Sequence, residues 1–122
     1  MADALTVTLP LPPNRGNSRV QWRARHAQTR RYLGDALGQL QALRVGRACP
    51  WSPVEVSAVL YVHNRMDDDN AVARLKVPLD ALTRAGIIRD DRRPHCRLAG
   101  IPEQVIDRRR PRVELTVRQV AA

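Results

Sequence analysis

Three consecutive aspartates, Asp67, Asp68 and Asp69, stand just before a helical pattern, and a second acidic pair, Asp90 and Asp91, stands just after it. Lys76 and Asp80 lie between them. Half of the chain's 12 Asp+Glu fall within residues 67–91, although the whole sequence carries 21 Lys+Arg and a net charge of +9. Carboxylates clustered in a basic surface suit metal-dependent cleavage of a polyanion. The cationic surface gathers phosphates, and the carboxylates hold the divalent ion that activates one of them. Phosphodiester hydrolysis requires a deprotonated water, an offset for the phosphoryl charge and a stabilised leaving oxygen. One or two Mg²⁺ ions contribute to all three.

Spacing assigns roles within this cluster. Asp67 and Asp69 are two apart, so on an extended approach their side chains point the same way and Asp68 points to the opposite, solvated side. Mg²⁺ takes oxygen ligands and usually only a few carboxylates. The Asp90–Asp91 pair is the obvious source of a third. Lys76 follows Asp69 by seven residues, or two helical turns, which returns it to nearly the same face. Helical side chains also lean toward the N-terminus, so its ammonium reaches toward the carboxylate end. Plainer readings stand beside these. An Asp run before a helix is commonly a solvated cap, Lys76 and Asp80 have the spacing of a surface ion pair, and Asp90–Asp91 alone is an ordinary turn. The run lacks the glycine and distal glutamate of an EF-hand loop.

The elements that must position these residues follow from periodicity. Leu5 to Leu9 alternates as a short half-buried strand and is stopped by Pro10, Pro12 and Pro13. Gln21 to Val45 is helical, with Tyr32/Leu33, Ala36/Leu37, Leu40 and Leu43 recurring at three and four. Val54 to His63 alternates again and leads straight into the acidic run. A helix is expected from Asn70 to Arg84, striped by Val72, Leu75, Leu79 and Leu82, capped by Asp69 or Asn70, kinked by Pro78 and stopped at Gly86. Strands over Cys96–Gln104 and Arg112–Val120 close the chain. The order is β-α-β-α-β-β, a small single α/β (α+β) domain spanning 1–122, with a mixed sheet packed by two helices.

Composition narrows the class further. The apolar fraction of 43% supports one modest core, built from Leu, Val, Ile and Ala because Phe is absent. Lys76 is the only lysine, so the positive charge is almost all arginine. Arg15, Arg19, Arg23, Arg25, Arg30 and Arg31 surround the first helix start, Arg65 precedes the acidic run, and Arg108, Arg109, Arg110 and Arg112 crowd one loop. These are the candidate DNA-backbone contacts; the alternative for the last group is a solvated hairpin turn. Trp22 either stacks on an unpaired base near a branch point or packs in the core. Cys49 and Cys96 are too few for a disulfide framework and are expected reduced and buried. His26, His63 and His95 show no zinc spacing with them. His63 lies close enough to the acidic run to shuttle a proton, with a structural histidine as the plainer reading. No P-loop, dinucleotide fingerprint or Ser/His/Asp signature is present, so no organic cofactor is expected. Neither a signal peptide nor a membrane-length apolar run is visible, which points to a soluble cytoplasmic protein.

The combination Asp67-x-Asp69-Asn70, Lys76, Asp80-Ala81-Leu82, Gly86 and Asp90-Asp91 resembles the signature of RusA-type endodeoxyribonucleases, the Holliday-junction resolvases of bacteria and their phages. The opening strand with Pro10-Leu-Pro12-Pro13-Asn14 and the closing Arg112-Val-Glu-Leu-Thr-Val117 are similar to that family's ends, so the resemblance covers roughly the whole chain. It implies a RusA-like fold and a homodimer that makes symmetric paired cuts in four-way DNA junctions with Mg²⁺ or Mn²⁺. It also implies metal ligation by Asp67, Asp69 and Asp91, with Asp90 as the alternative to Asp91, and a catalytic role for Lys76. The interval from Asn70 to Lys76 departs from the commoner family spacing by three residues, close to one helical turn. Two further expectations differ in class: a nuclease for other branched DNA or RNA, and a non-catalytic basic DNA-binding module whose acidic run is only a cap.

Overall fold

The computed structural model describes residues 4–12 and 22–120, apart from the side chains of Trp22 and Arg25. The elements are β1 (Ala4–Pro10), α1 (Trp22–Arg44), β2 (Val54–Val62), α2 (Asp68–Ala73), α3 (Lys76–Arg84), β3 (Cys96–Leu98), β4 (Glu103–Ile106) and β5 (Arg112–Gln119). This is a small mixed α+β fold around one five-stranded mixed sheet. β5 lies between β1 and β2 and is antiparallel to both. β3 and β4 both pair in parallel with the far edge of β2.

Alternation decides which face of the sheet is buried. Leu5, Val7 and Leu9 of β1, Val54, Val56, Ala58, Leu60 and Val62 of β2, and Val113, Leu115 and Val117 of β5 all point into one core. Tyr32, Leu33, Ala36 and Leu40 of α1 close that core together with Val77, Leu79, Ala81 and Leu82 of α3. The Tyr32 hydroxyl donates to the Pro10 carbonyl at 2.8 Å, tying α1 to the end of β1. The opposite face carries Thr6, Thr8, Glu55, Ser57, Tyr61, Glu114, Thr116 and Arg118.

Several expectations change. The helix expected over Asn70–Arg84 is two helices that meet at Arg74–Leu75. Pro78 is the reason it need not be kinked: it stands in the first turn of α3, where a backbone N–H has no helical partner to lose. The cap of α2 is Asp67 rather than Asp69 or Asn70, and Ala71 N–H donates to the Asp67 carbonyl at 2.9 Å. Val72 leaves the expected apolar stripe and is exposed, and Ala71 is buried instead.

The expected strand Cys96–Gln104 is split into β3 and β4. Gly100 at φ 119° takes a backbone conformation that residues with a Cβ avoid, and Pro102 brings no N–H to the ladder. The loop from 107 to 111 is not a hairpin turn, because β4 and β5 lie on opposite sides of β2. The segment instead crosses the end of β2, where Asp107 N–H donates to the Val62 carbonyl at 2.9 Å. Both cysteines are free; Cys96 is buried as expected, but Cys49 is only partly so. No helix among the described residues is long and apolar enough to cross a membrane.

Candidate active site

β2 delivers the first carboxylates. Its last residue, Val62, is followed by an exposed stretch, and Met66 is then gripped by the side chain of Gln104 on β4. Met66 N–H donates to Gln104 Oε1 at 2.9 Å, and Gln104 Nε2 donates to the Met66 carbonyl at 2.9 Å. The amide stands in for a strand neighbour and satisfies both backbone groups of the residue immediately before Asp67. Nothing in the sequence pattern singles out Gln104, since its role appears only when β4 lies beside β2.

Asp67, Asp68 and Asp69 are exposed. Asp67 occupies the cap position of α2 with its backbone, but its carboxylate makes no cap hydrogen bond. A capping carboxylate ordinarily accepts from the helix N–H groups. Instead, three adjacent negative side chains stand without a cation partner among the described residues. Lys76 opens α3 and is exposed. The ion pair with Asp80 that its spacing allowed does not form. Asp80 pairs with Arg84 at 3.0 Å instead, and Lys76 is left available.

The second acidic group lies elsewhere. Asp90 and Asp91 precede β3, whose first residue Cys96 pairs with Val54 at the start of β2. Asp67–Asp69 follow the other end of that strand. Eight residue steps at about 3.3 Å separate Val54 from Val62 by roughly 26 Å. Asp90 accepts from Arg92 N–H at 3.1 Å and pairs with its guanidinium at 3.4 Å, which holds the Asp90 carboxyl below the usual range. Asp91 is pushed the other way, first by burial and then by the neighbouring Asp90 and the charge of Asp80. Asp80 therefore belongs electrostatically to this group. Among the described residues, no three carboxylate, imidazole or thiol groups converge as a metal site. The structure keeps Asp67 with Asp69, and Asp90 with Asp91, and does not bring the two sets together within one chain.

The arginines sort into three groups. Arg15 and Arg19 lie outside the described residues, as does the side chain of Arg25. Arg23, Arg30 and Arg31 are exposed on α1, and Arg65 is exposed beside the acidic run. Arg108, Arg109 and Arg110 are exposed on a turn shaped by Asp107, which accepts from Arg109 N–H and Arg110 N–H at 3.2 Å each. Arg112 serves the fold instead. It pairs with Asp107 at 3.0 Å and Glu114 at 3.5 Å, and lies 3.6 Å over the Tyr61 ring. Arg74, at the junction of α2 and α3, is half-buried; its Nε has no hydrogen-bond partner among the described residues, and burial lowers its pKa. His63 is exposed near the acidic run, whereas His95 is bound to Ser52.

Compared with protein-family models and with curated proteins, the chain matches none.

Proposed function

We propose that this protein is a metal-dependent, structure-selective DNA endonuclease of the RusA type, resolving four-way junctions in recombination and repair by paired symmetric cuts. The observation that carries this reading is the trio Asp67, Asp68 and Asp69: exposed, without a cation partner among the described residues, and with the Asp67 carboxylate unused as a cap, in a chain of net charge +9. Exposed carboxylates clustered in a strongly basic chain offer the oxygen ligands that a hard divalent ion such as Mg²⁺ or Mn²⁺ takes. A basic DNA-binding module with a merely solvated cap would be expected to use the cap carboxylate on its helix, which this chain does not.

Asp67 and Asp69, just beyond β2, would supply the ligand oxygens, and Lys76, which opens α3, would offset phosphoryl charge. An ion held there would supply an activated water and charge compensation for the leaving oxygen. Arg23, Arg30, Arg31, Arg65, Arg108, Arg109 and Arg110 hold the flanking backbone. The distance between the two acidic groups adds a further element. A second copy of the chain places its Asp90–Asp91 beside the first copy's Asp67–Asp69, and a twofold dimer then has two equal sites for two symmetry-related strands.

The test is cleavage of a labelled four-way junction with and without Mg²⁺ by the wild type and Asp67→Asn. The expected result is metal-dependent paired nicking that disappears in the variant, while junction binding persists. Binding should persist because the substitution removes negative charge from a phosphate-facing surface. Loss of binding in a folded Asp67→Asn protein counts against the reading.

A further inference from the structure

A cavity of about 560 Å³ opens at the end of the sheet remote from Asp67–Asp69. Its apolar walls are Pro53, Pro94 and Val120, and its polar groups come from Ser52, Arg93, His95 and Arg97. That size falls within the range of small-ligand pockets. The polar groups are fixed in different ways. Ser52 Oγ and His95 Nδ1 are hydrogen-bonded at 2.8 Å, which orients the imidazole ring. Arg97 is held by Glu55 at 3.0 Å, and the same Glu55 also holds Arg118. One carboxylate shared by two guanidinium groups leaves a positive charge over. Arg93 is exposed and has no ion-pair partner among the described residues. Burial pushes the Cys96 thiol up to about 11, and the charges of Asp91 and Asp90 add to the shift, so both lie near this end of the sheet. Asp90 is clamped by Arg92 and Asp91 offsets one positive charge, so Arg93 together with the surplus of the Glu55 group still leaves the rim cationic.

The geometry points to this cavity as a seat for one nucleotide unit, with the base against the Pro53, Pro94 and Val120 walls and the phosphate on Arg93 and Arg97. Apolar walls rimmed by guanidinium groups match a ligand with one flat, poorly hydrated part and one anionic part. A free inorganic anion would use only the rim, and an uncharged nucleoside only the walls. The inference rests on the nucleic-acid reading of the charge, but not on metal-dependent cutting. A nucleotide seated here lies beside the Asp90–Asp91 loop, so the site anchors an unpaired residue of a branched strand close to the second acidic group.

The experiment titrates the full-length chain, without divalent metal, with each 5′-deoxynucleoside monophosphate, with deoxycytidine and with inorganic phosphate. Backbone and His95 resonances report binding by NMR. Arg93→Glu and the wall variant Val120→Trp are titrated alongside. At least one monophosphate is expected to shift the Ser52, His95 and Arg97 signals saturably. Deoxycytidine and phosphate are expected to bind at least about tenfold more weakly, and Arg93→Glu to cost about tenfold or more in Kd. Val120→Trp is expected to weaken binding with its own fold intact. The proposal is overturned if no monophosphate shifts these signals saturably, if phosphate alone binds equally well, or if Arg93→Glu leaves the affinity unchanged. Because no metal or cleavage enters the readout, failure of the nuclease reading and failure of this site are separable.

Discussion

At the scale of single residues, the charges that matter are those the fold leaves unpaired. Arg112 has two carboxylates and an aromatic ring, so the fold consumes it. Among the described residues, Asp67, Asp68, Asp69 and Lys76 have no such partners and are available to a ligand. Arg74 is a different case, a half-buried cation whose Nε lacks an acceptor among the described residues. Leaving a buried polar group unsatisfied costs about 1–3 kcal/mol. Arg74→Met keeps most of the stem and removes the charge, so thermal unfolding of the variant is expected to shift upward. An unchanged or lowered Tm would show that Arg74 has an anionic partner beyond the described residues. Gln104 has the opposite character, with both of its amide groups used on Met66. Gln104→Ala leaves two backbone groups unsatisfied and frees the approach to Asp67. It is expected to lower metal-dependent cleavage at least about tenfold at fixed Mg²⁺ while largely preserving junction affinity. An equal loss of affinity and cleavage would make Gln104 a folding residue only.

At the scale of elements, the strands were the most legible part of the sequence. β1 and β2 follow strict alternation, with Leu5, Val7 and Leu9 and Val54, Val56, Ala58, Leu60 and Val62 all buried, and β5 forms where a strand was expected. The helix over 70–84 was misread because apolar spacing continues through Arg74–Leu75 although the backbone does not. Its proline looked like an interior kink only on the assumption of one continuous helix. The split of β3 from β4 was foreshadowed by Gly100 and Pro102, which alternation alone does not weigh. The 107–111 crossing could not be read locally, since it depends on which side of β2 each neighbour takes. That crossing carries its own pH signature. Asp107 accepts from the Arg112 guanidinium and from two backbone N–H groups, and its pKa is lowered, first by the Arg112 hydrogen bond. A carboxyl with a depressed folded pKa contributes stability that is present above its unfolded pKa, near 3.8, and is lost as pH falls through the folded value. Asp107→Asn should therefore unfold at lower temperature than wild type at neutral pH, and the gap should close below about pH 4. A gap that persists into strong acid would assign the effect to packing. Asp91, shifted in the opposite sense, is common to both proteins and drops out of the comparison.

At the scale of the whole molecule, the positions of the two acidic groups matter more than their composition. The sequence made Asp67, Asp69 and Asp91 legible as candidates but not their placement, because the distance between them depends on β3 entering beside the start of β2. Sites shared between two copies predict a specific complementation. Asp67→Asn and Asp91→Asn chains, each inactive alone, are expected to form mixed dimers with one intact site, nicking one junction strand instead of two. Sites contained within one chain would leave every mixed dimer inactive.

The most direct test of the central claim remains cutting itself: a labelled, immobile four-way junction incubated with purified wild type or Asp67→Asn, with and without Mg²⁺. The account predicts paired, symmetric nicks that require the metal and vanish in the variant, with binding retained in both. Tight junction binding without any cutting, in Mg²⁺ and in Mn²⁺ and across junctions of different sequence, would contradict it and leave a basic branched-DNA binder.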